Sequence, residues 1–319
     1  MLVLTCDIRV GNKRFTAVNA VTVKRSIYSL GATATIKLPV TSILKQAGEP
    51  ATKIETAQAV AVGDRVEVRL GYDGRNRLEF RGYVKALNLR TPLEIVCEDE
   101  FYSCRRKNVK TGGTIALEEL LRKCGLSVGY AETLTLRNFA VPDKPVSSVL
   151  SKLAKDYGLS VFFDLDGQVY ACRPERVVGD RVKYELRRNV ISDDSLQYLN
   201  KADLKIQIKA VCFKKDGTKV EAKKGVEGGS KKTIYFYDVA DMKELATLAQ
   251  RELERHSYDG YDGSITTFLE PYAAPGMIAE LTDPLYPERS GRYYIESVET
   301  TFGQQGGRRK IEIGTAVEG

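Results

Sequence analysis

Histidine and tryptophan are the residues that this 319-residue sequence nearly lacks, with one histidine and no tryptophan. An imidazole-based nucleophilic centre or a common zinc site would have to rest on His256 alone, and no Cys-x-x-Cys pair is present to support it. His256 lies in the last turn of a predicted helix, where unpaired carbonyl groups favour a charged capping imidazole. The sequence therefore predicts no metal, no cofactor and no imidazole-dependent catalysis.

Long apolar runs are also absent. The first residues, MLVLTCDIRVGNK, show no basic leader followed by an apolar stretch. No window approaches the roughly 18 uninterrupted apolar residues that a membrane helix needs. We therefore expect synthesis in the cytoplasm and no membrane insertion, with export only by a route that uses no signal peptide.

Cysteines are few and scattered. Several of them stand where a strand or helix pattern predicts an apolar residue, and isolated cysteines of this kind behave as small core side chains. We expect reduced core thiols rather than disulfides or zinc ligands at the six positions: Cys6, Cys97, Cys104, Cys124, Cys172 and Cys212.

Positive charge is concentrated in one segment. The formal net charge is +7, and residues 201–232 hold ten lysines against four acidic residues, so the rest of the chain is close to neutral. These lysines do not interleave with aromatic residues in the manner of a single-strand stacking platform. A local basic segment indicates nucleic-acid binding less strongly than a basic domain does, and we expect a solvated face with no specific nucleic-acid partner.

Residues 63–104 carry the clearest strand pattern. Apolar residues alternate with charged ones over 66–70, which is typical of a half-buried strand. The pair Asp73-Gly74 predicts a tight turn, because glycine accepts the positive φ that such a turn needs. Further strand patterns over 80–84 and 93–97 complete three antiparallel strands, which are most of a small β-barrel or sandwich.

A second stretch, residues 275–317, repeats this pattern about two hundred residues later. Alternation over 277–281 matches that over 66–70, and the SGRY sequence at 290–293 matches FRGY at 80–83 in its step from glycine to an aromatic residue. We interpret the repeat as two related β-modules in one chain. The alternative is that any two antiparallel meanders look alike.

Helical periodicity separates the two strand-rich regions. Apolar residues recur at helical spacing over 117–124 and again over 146–157, and a glycine follows each segment as a stop signal. The pair Asp166-Gly167 then predicts a two-residue hairpin turn. Residues 105–181 are therefore predicted to form a small helix–helix–hairpin domain.

Residues 182–319 are predicted to hold the second β-barrel module together with two further elements. One is a basic hairpin over 201–232, which reverses at Asp216-Gly217 and has a mobile glycine-rich tip at 223–232. The other is a helix over 241–256, which opens with a capping box.

The predicted fold class is mainly β with an α+β insert. The first β-barrel module covers residues 1–104, the insert covers 105–181, and the second module covers 182–319. Within the first module, residues 41–62 are predicted to be a long loop with a short helix near 43–46.

Carboxylates and tyrosines are the remaining candidates for chemistry or contacts. The acidic run 98–100 and the pair Asp283 and Glu288 could act as acid and base, but carboxylates at strand ends are usually solvated or paired with arginine. The segment 225–232 lacks the spacing of a phosphate-binding loop. We therefore predict that the chain is not an enzyme. Four tyrosines lie at predicted module rims and are candidates for the core edge or a subunit interface: Tyr72, Tyr83, Tyr293 and Tyr294.

The order of these motifs resembles a known family. SIYSLGATATIKLP precedes GDRVEVRLGY, FRGYVKAL and LEIVCEDE; the insert VSSVLSKLAKDYGLSVFFDLDGQVYACRP follows; PGMIAELTD, SGRYYIESVETTF and RKIEIGT end the series. This order resembles the baseplate hub proteins of contractile phage tails, the late-control or Mu-type tail proteins. It is also similar to the N-terminal hub region of type VI secretion spike proteins. The resemblance covers nearly the whole chain, and its motifs are structural rather than catalytic.

The resemblance implies two β-barrels per subunit and a homotrimer with a pseudo-sixfold ring of barrels. Such a ring would join a tail tube protein on one face to a tail spike protein on the other, in a virion tail baseplate assembled in the bacterial cytoplasm. The chain is shorter than spikes that carry their own β-helical needle, so the needle would be a separate protein. Two other classes stay open, a basic β-barrel nucleic-acid-binding protein and a tail-associated cell-wall hydrolase.

Overall fold

The structure is a computed structural model, and it describes residues 2–44, 52–176, 179–214, 218–237, 239 and 241–317. Strands account for 52% and helices for 16%, which confirms the predicted mainly-β class with its α+β insert. A second small α+β unit, which was not predicted, interrupts the later β-module.

The first module follows the alternating pattern of its sequence. Inward-facing Ile8, Val66, Val68 and Ile95 are fully buried in one core, while the intervening polar residues face outward. Nine strands build this module: β1 (Leu4–Val10), β2 (Lys13–Phe15), β3 (Ala20–Ser26), β4 (Thr33–Leu38), β5 (Thr41–Leu44), β6 (Thr52–Glu55), β7 (Arg65–Tyr72), β8 (Arg75–Asn88) and β9 (Leu93–Glu98).

The insert has its own hydrophobic core, and both predicted helices and the predicted hairpin are present in it. Gly125 and Gly158 follow the two longer helices with φ of +73° and +65°, the left-handed conformation in which glycine commonly ends a helix. Its elements are α1 (Phe101–Cys104), β10 (Asn108–Thr111), β11 (Ile115–Ala116), α2 (Leu117–Lys123), β12 (Val128–Ala131), β13 (Thr135–Leu136), β14 (Val141–Pro145), α3 (Val146–Tyr157), β15 (Ser160–Phe163) and β16 (Val169–Cys172).

The last part of the chain contains the second module and the unpredicted α+β unit. A helix begins after Asp241, whose side chain accepts hydrogen bonds from the backbone N–H groups of Lys243 and Glu244 as a helix cap. The elements are β17 (Arg181–Glu185), β18 (Val190–Leu199), β19 (Ile206–Phe213), β20 (Lys219–Gly225), β21 (Ser230–Tyr237), α4 (Met242–His256), β22 (Gly260–Thr267), β23 (Ile278–Thr282), β24 (Gly291–Gly303) and β25 (Gly306–Ala316).

The two modules share one strand order. The main sheet of the first module runs β3-β4-β9-β8-β7-β1, and that of the second runs β18-β22-β25-β24-β23-β17. When the six strands are numbered in chain order within each module, both sheets read 2-3-6-5-4-1. The modules differ in one pairing, since β1 is antiparallel to β7 whereas β17 is parallel to β23. The weak sequence repeat therefore corresponds to a repeated topology.

The basic hairpin predicted over 201–232 is wrong in its extent. Only β19 and β20 form a hairpin, and β21 crosses to the other side of β19 and pairs with it in parallel. The physical reason is burial: alternate residues of this sheet, among them Ile208 and Phe236, pack against α4 in a separate core. The tip predicted to be mobile over 223–232 mostly belongs to these two flanking strands. The predicted turn at Asp216-Gly217 lies outside the described residues.

The long loop predicted over 41–62 is also corrected. Strands β5 and β6 pair with each other over part of it, and a short 3₁₀ turn follows at Thr56–Ala59. Two more such turns occur at Lys201–Asp203 and Pro287–Arg289. The short helix predicted near 43–46 is replaced by strand up to Leu44, and the remainder of that segment lies outside the described residues.

Candidate assembly surfaces

A continuous sheet joins the two modules, because the second half of β24 pairs with β3. Their antiparallel register runs from Ser297 opposite Ser26 to Gly303 opposite Ala20. On the exposed side of this junction, the Lys24 Nζ and Glu299 Oε2 atoms lie 3.3 Å apart. We call the pairing of β3 with β24 the module seam. One 13-stranded sheet therefore spans both modules.

A buried ion pair connects the modules next to the seam. The Arg309 Nη2 atom lies 2.8 Å from Glu79 Oε1 and Nη1 lies 3.0 Å from Oε2, and each side chain is at most 3% exposed. The guanidinium also donates to the carbonyl oxygens of Leu269 at 2.9 Å and Ala273 at 3.1 Å, and to the Thr300 hydroxyl at 3.2 Å. Glu79 comes from the first module and Arg309 from the second, so the pair fixes one module to the other.

Arg309 is positively charged in this setting. Desolvation acts to lower its pKa, but the hydrogen bonds and the charge of Glu79 outweigh it, so the pKa of Arg309 is raised overall. A bidentate pair of this geometry combines charge with directional bonding. The seam thus depends on a guanidinium and a carboxylate that have both left water.

A β-bulge brings Glu79 into the interior. Val68 pairs with Phe80 and the next residue, Arg69, pairs with Leu78, so Glu79 is the extra residue of β8 at this point. A bulge redirects side chains, and both Glu79 and Phe80 are buried as a result. The strand pattern did not predict this carboxylate. The available signal was Arg309, a charged residue at an inward position of β25.

Two strand edges at the ends of this arrangement have no partner in the part of the chain described. β18 holds the same place in the second module as β3 does in the first. β3 pairs with β24 along its outer edge, but the outer edge of β18 pairs with no described strand. Residues 85–88 of β8, the counterpart of the seam half of β24, pair with β9 on one side only. Large apolar side chains are exposed at both edges, with Ile191 at 40% and Leu89 at 78%.

Two of the four tyrosines predicted at an interface are buried inside the subunit. Tyr293 and Tyr294 are each 2% exposed. The Tyr293 hydroxyl accepts a hydrogen bond from the Tyr261 backbone N–H at 2.9 Å, and Tyr294 packs with Ile27 and Ile278. The interface prediction is therefore wrong for this pair. Neighbouring residues of a strand face opposite sides, and the two rings accordingly enter different cores, Tyr293 that of the second module and Tyr294 a small one with Ile27 and Ile278.

Tyr72 and Tyr83 are half-buried, and an interface role for them stays a prediction. The Tyr72 hydroxyl accepts from the Leu269 backbone N–H at 3.4 Å, so this ring belongs to the junction between the modules. The Tyr83 ring stacks on Tyr102 with centroids 5.3 Å apart, and its hydroxyl donates to Glu100 at 3.2 Å. Tyr83 lies on β8 near the unpaired edge.

The single histidine is not a charged helix cap. The His256 side chain is 10% exposed, and its Nδ1 atom lies 3.2 Å from Lys232 Nζ. Burial, followed by the positive charges of Lys232 and Arg255, lowers the pKa of His256 to about 4. The predicted capping imidazolium is therefore wrong, because desolvation and neighbouring cations outweigh the attraction of the helix carbonyl groups.

The candidate acidic residues hold the structure together locally. Glu98 is paired with Lys85 at 3.1 Å and Arg105 at 3.0 Å. Asp99 accepts from the backbone N–H groups of Ala32 and Phe101, at 2.7 and 3.0 Å.

The second acidic candidate is bound just as firmly. Asp283 accepts from the Tyr261 hydroxyl at 2.7 Å and from Arg187 at 2.8 Å. Desolvation opposes ionisation, but these bonds and two backbone N–H groups prevail and lower the pKa of Asp283 to about 2. Glu288 lies nearby in sequence and is solvent-exposed, with Arg289 4.0 Å away. These contacts indicate structural roles rather than acid–base chemistry.

The remaining sequence expectations concern metals, membranes and cysteine. No group of three or more His, Cys, Asp or Glu residues among those described could hold a metal ion. No helix in the same residues is long and apolar enough to cross a membrane. All six cysteines are buried free thiols, which confirms the predicted core thiols, and burial raises the pKa of Cys6 and Cys124 to about 11.

Six of the lysines of the basic segment lie on the strands β19, β20 and β21. Lys209 forms an ion pair with Glu221 at 2.7 Å, and the Lys219 ammonium lies 4.9 Å from the centre of the Phe213 ring. Lys209 alternates along β19 with Ile208 and Ala210, which pack in the core against α4, whereas the exposed lysines at 223–224 and 231–232 stand in consecutive pairs. This arrangement is typical of a solvated face of a small sheet.

Comparison with known proteins gives results only at the level of structure. No protein-family model matches the sequence, and no curated protein sequence matches it. The crystal structure of the prophage MuSo2 43 kDa tail protein from Shewanella oneidensis matches with a TM-score of 0.59 and 14% identity, covering 97% of both chains. The tail protein from Neisseria meningitidis MC58 matches with a TM-score of 0.62 and 10% identity, covering 99% of this chain and 97% of that one.

A third match extends the likeness to secretion machinery. A component of the type VI secretion system of E. coli, itself described as structurally similar to T4 bacteriophage tail proteins, matches with a TM-score of 0.59 and 9% identity. It covers 98% of this chain and 76% of that chain. Identities this low establish the fold alone, but they do so along nearly the whole chain. The chain therefore has the fold of these tail proteins, and the resemblance seen in the order of its motifs is confirmed.

Proposed function

We propose that this chain is a structural baseplate hub protein of a phage or phage-like contractile tail. Three copies form a ring of six similar modules, which joins the tail tube to the central spike within the virion. The observation that carries the proposal is the repeated strand order. The edges of β3 and β24 pair with each other inside the chain, whereas the corresponding edges of β18 and β8 have no partner among the described residues.

The open edges suggest how the ring closes. Within one chain, β3 of the first module pairs with β24 of the second. By topology, β18 is the counterpart of β3 and β8 is the counterpart of β24. Pairing β18 of one subunit with β8 of the next repeats the seam between chains. Head-to-tail contacts of this kind generate rings when the rotation closes.

The side chains at the two edges support this pairing. The seam inside the chain carries the Lys24–Glu299 ion pair, and the proposed contact brings Asp193 of β18 towards Arg90, which follows the end of β8. Unpaired strand edges with exposed apolar residues are also an aggregation hazard that proteins usually cover. In the ring, one neighbouring copy covers the β18 edge of a chain and the other neighbouring copy covers its β8 edge.

The proposal is tested by the mass of the purified chain in solution. We expect light scattering at micromolar concentration to give three times the 35.5 kDa of one chain. Replacing Ile191 or Leu89 with lysine places a charge at the contact and should shift the mass to that of one chain. Ile43→Lys is the matched control, because Ile43 is 70% exposed on β5, which pairs with β6 in a separate two-stranded sheet. A wild-type chain that stays monomeric under these conditions would refute the ring.

The proposal also implies that the chain has no enzymatic role in the tail. Its acidic candidates are bound to local partners, and the structures it resembles are those of tail proteins. We expect the purified chain to release no soluble fragments from peptidoglycan. Release that grows with protein concentration and survives further purification would favour the cell-wall hydrolase instead.

A further inference from the structure

A cleft of about 850 Å³ lies where the insert, the second α+β unit and the β-modules meet. We call it the strand cleft, and it contributes nothing to the seam or to the open edges described above. Residues from each part line it: Gly158, Ser160 and Arg173 to Arg176 of the insert, Lys232 to Tyr235 of β21, His256 at the end of α4, and Tyr28 and Glu296 of the modules.

The strand β21 faces the cleft with its edge. Four consecutive residues, 232–235, line the cleft, whereas a strand that presented a face would contribute alternate residues. β21 is the outer strand of its sheet and pairs only with β19. The Ser230 backbone N–H donates to the Lys205 carbonyl oxygen. In a parallel ladder the backbone N–H and C=O groups of alternate residues point to the same side, so those of the even-numbered residues of β21 point towards β19. The backbone groups of Thr233 and Tyr235 therefore point into the cleft.

The opposite wall offers hydrogen-bond donors without partners. Ser160 is 4% exposed, and its buried hydroxyl has no hydrogen-bond partner among the residues described. The buried Arg173 Nε atom also lacks a partner, although its Nη2 atom pairs with Glu132 at 3.3 Å. Unsatisfied buried donors are uncommon, because burial deprives them of the hydrogen bonds that water would supply. The Arg173 Nε atom and the outward N–H groups of β21 can only donate, and the Ser160 hydroxyl can also donate, so carbonyl and carboxylate oxygens of a ligand suit all of them.

The unpaired charges at the rim of the cleft also favour a ligand that carries carboxylates. Arg255 is neutralised by Glu175 at 2.7 Å. Lys232 has no carboxylate within ion-pair distance in the described chain. Its close contact is the neutral His256, and the Glu296 carboxylate, which also lines the cleft, interacts with it only at longer range. Arg176 lies near Tyr130 and Glu132, and Glu132 is already paired with Arg173 at 3.3 Å. Two cations at the rim thus remain available for an acidic partner.

We propose that the strand cleft binds an extended, acidic segment of a partner polypeptide, which adds to β21 as a further strand of its sheet. Backbone pairing along an exposed edge supplies affinity in such complexes, and side-chain contacts supply specificity. Carbonyl oxygens of the segment accept from the outward N–H groups of β21 and from Ser160. Its carboxylates face Lys232 and Arg176. This interaction is separate from the ring proposed above.

The probes are three labelled peptides, measured by fluorescence anisotropy against the full-length chain. The first is a decapeptide of alternating valine and glutamate, and the second replaces glutamate by lysine. The third repeats the first with alternate backbone amides N-methylated, so that one edge cannot donate hydrogen bonds. Losing two backbone hydrogen bonds of ordinary strength lowers affinity about tenfold. We expect at least that loss for both the second and the third peptide.

Two variants of β21 locate the binding site. Thr233→Pro removes one outward N–H and should weaken the first peptide about threefold, whereas Thr233→Val keeps the backbone and should change its affinity less than twofold. If Thr233→Pro fails to fold, the N-methylated peptide still tests backbone pairing.

Three results would overturn the proposal. The first is equal binding of the N-methylated and parent peptides, and the second is equal binding of the acidic and basic peptides. The third is a crosslink from Thr233→Cys to β21 of a second copy, because it would show that the edge of β21 binds another copy of this chain rather than a partner segment. The mass of the same sample shows separately whether the ring has formed.

Discussion

Replacing Arg309 with methionine should remove the strongest link between the two modules. Methionine fills a similar volume but cannot donate to Glu79, to the two backbone carbonyl groups or to Thr300. The Glu79 carboxylate, which is 3% exposed, would stay buried without its cation. We therefore expect this single substitution to destabilise the protein far more than the loss of an ordinary ion pair.

The expected magnitude follows from burial. Removing one partner of a buried ion pair costs about 3–5 kcal/mol, because the other charge remains in a low-dielectric interior. The orphaned carbonyl groups of Leu269 and Ala273 place Arg309→Met near the upper end of that range. Lys24→Met offers a matched control on the same seam. Lys24 and Glu299 are 63% and 38% exposed, and an ion pair of this kind contributes at most about 1 kcal/mol.

Urea unfolding followed by circular dichroism measures both losses, since the chain has no tryptophan to report by fluorescence. The double variant Glu79→Leu with Arg309→Met separates charge burial from lost packing. It removes the stranded carboxylate, so it should be more stable than Arg309→Met alone. If Arg309→Met lowers the free energy of unfolding no more than Lys24→Met does, Glu79 and Arg309 are not a buried ion pair in solution, and the explanation given for the seam is wrong.

Three further predictions use the same unfolding assay or simple chemistry. Gly158→Ala should lower the free energy of unfolding by about 1–3 kcal/mol more than Gly125→Ala does. Both glycines follow helices with positive φ, but only at Gly158 would the new methyl group overlap a side chain, the ring of Tyr235. Burial raises the pKa of Asp99 to about 7, so its contribution to stability falls as the pH rises from about 4 to 7. The lowered pKa of His256, about 4, makes its contribution fall as the pH drops from 6.5 to 4. Asp99→Asn should therefore make the slope of stability against pH more positive than in the wild type, and His256→Gln should make it more negative; unchanged slopes would contradict the assigned burial. The buried thiols should react with a thiol reagent at pH 8 only after urea is added, and rapid reaction of the native chain would contradict their burial.

The repeated topology could be predicted from sequence because it depends on local alternation. The patterns at 66–70 and 277–281 became β7 and β23, which hold the same place in the two sheets. The helices α2, α3 and α4 followed from helical spacing and their end signals. Each of these features is encoded within about fifteen residues, and none requires knowledge of a distant partner.

The features that were not predicted depend on distant contacts. A one-residue bulge redirects Glu79, and no local pattern shows that its partner is Arg309, 230 residues later. The place of β21 depends on which side of β19 is free, and the burial of Tyr293 and Tyr294 depends on how β24 faces its core. Burial of His256 reversed the charge expected for it. In each case the neighbours came from a different part of the chain.

The buried ion pair also distinguishes the contact inside the chain from the contact proposed between chains. Glu79 reaches the interior through the bulge between β7 and β8, whereas the corresponding pairing of β23 with β24 shows no register shift. A proposed contact between chains would therefore repeat the strand pairing of the seam but not its Glu79–Arg309 link. The contact inside the chain should accordingly be stronger than the contact between chains.

From this asymmetry we predict that the ring separates into folded single chains before those chains unfold. In rising urea, light scattering should fall to the mass of one chain at a lower concentration than the one at which circular dichroism changes. Arg309→Met should narrow the gap, because it weakens only the contact inside the chain. If the mass and the strand signal of the wild type are lost at the same urea concentration, a single chain is not stably folded outside the ring. The seam would then not be sufficient to hold the two modules of one chain together.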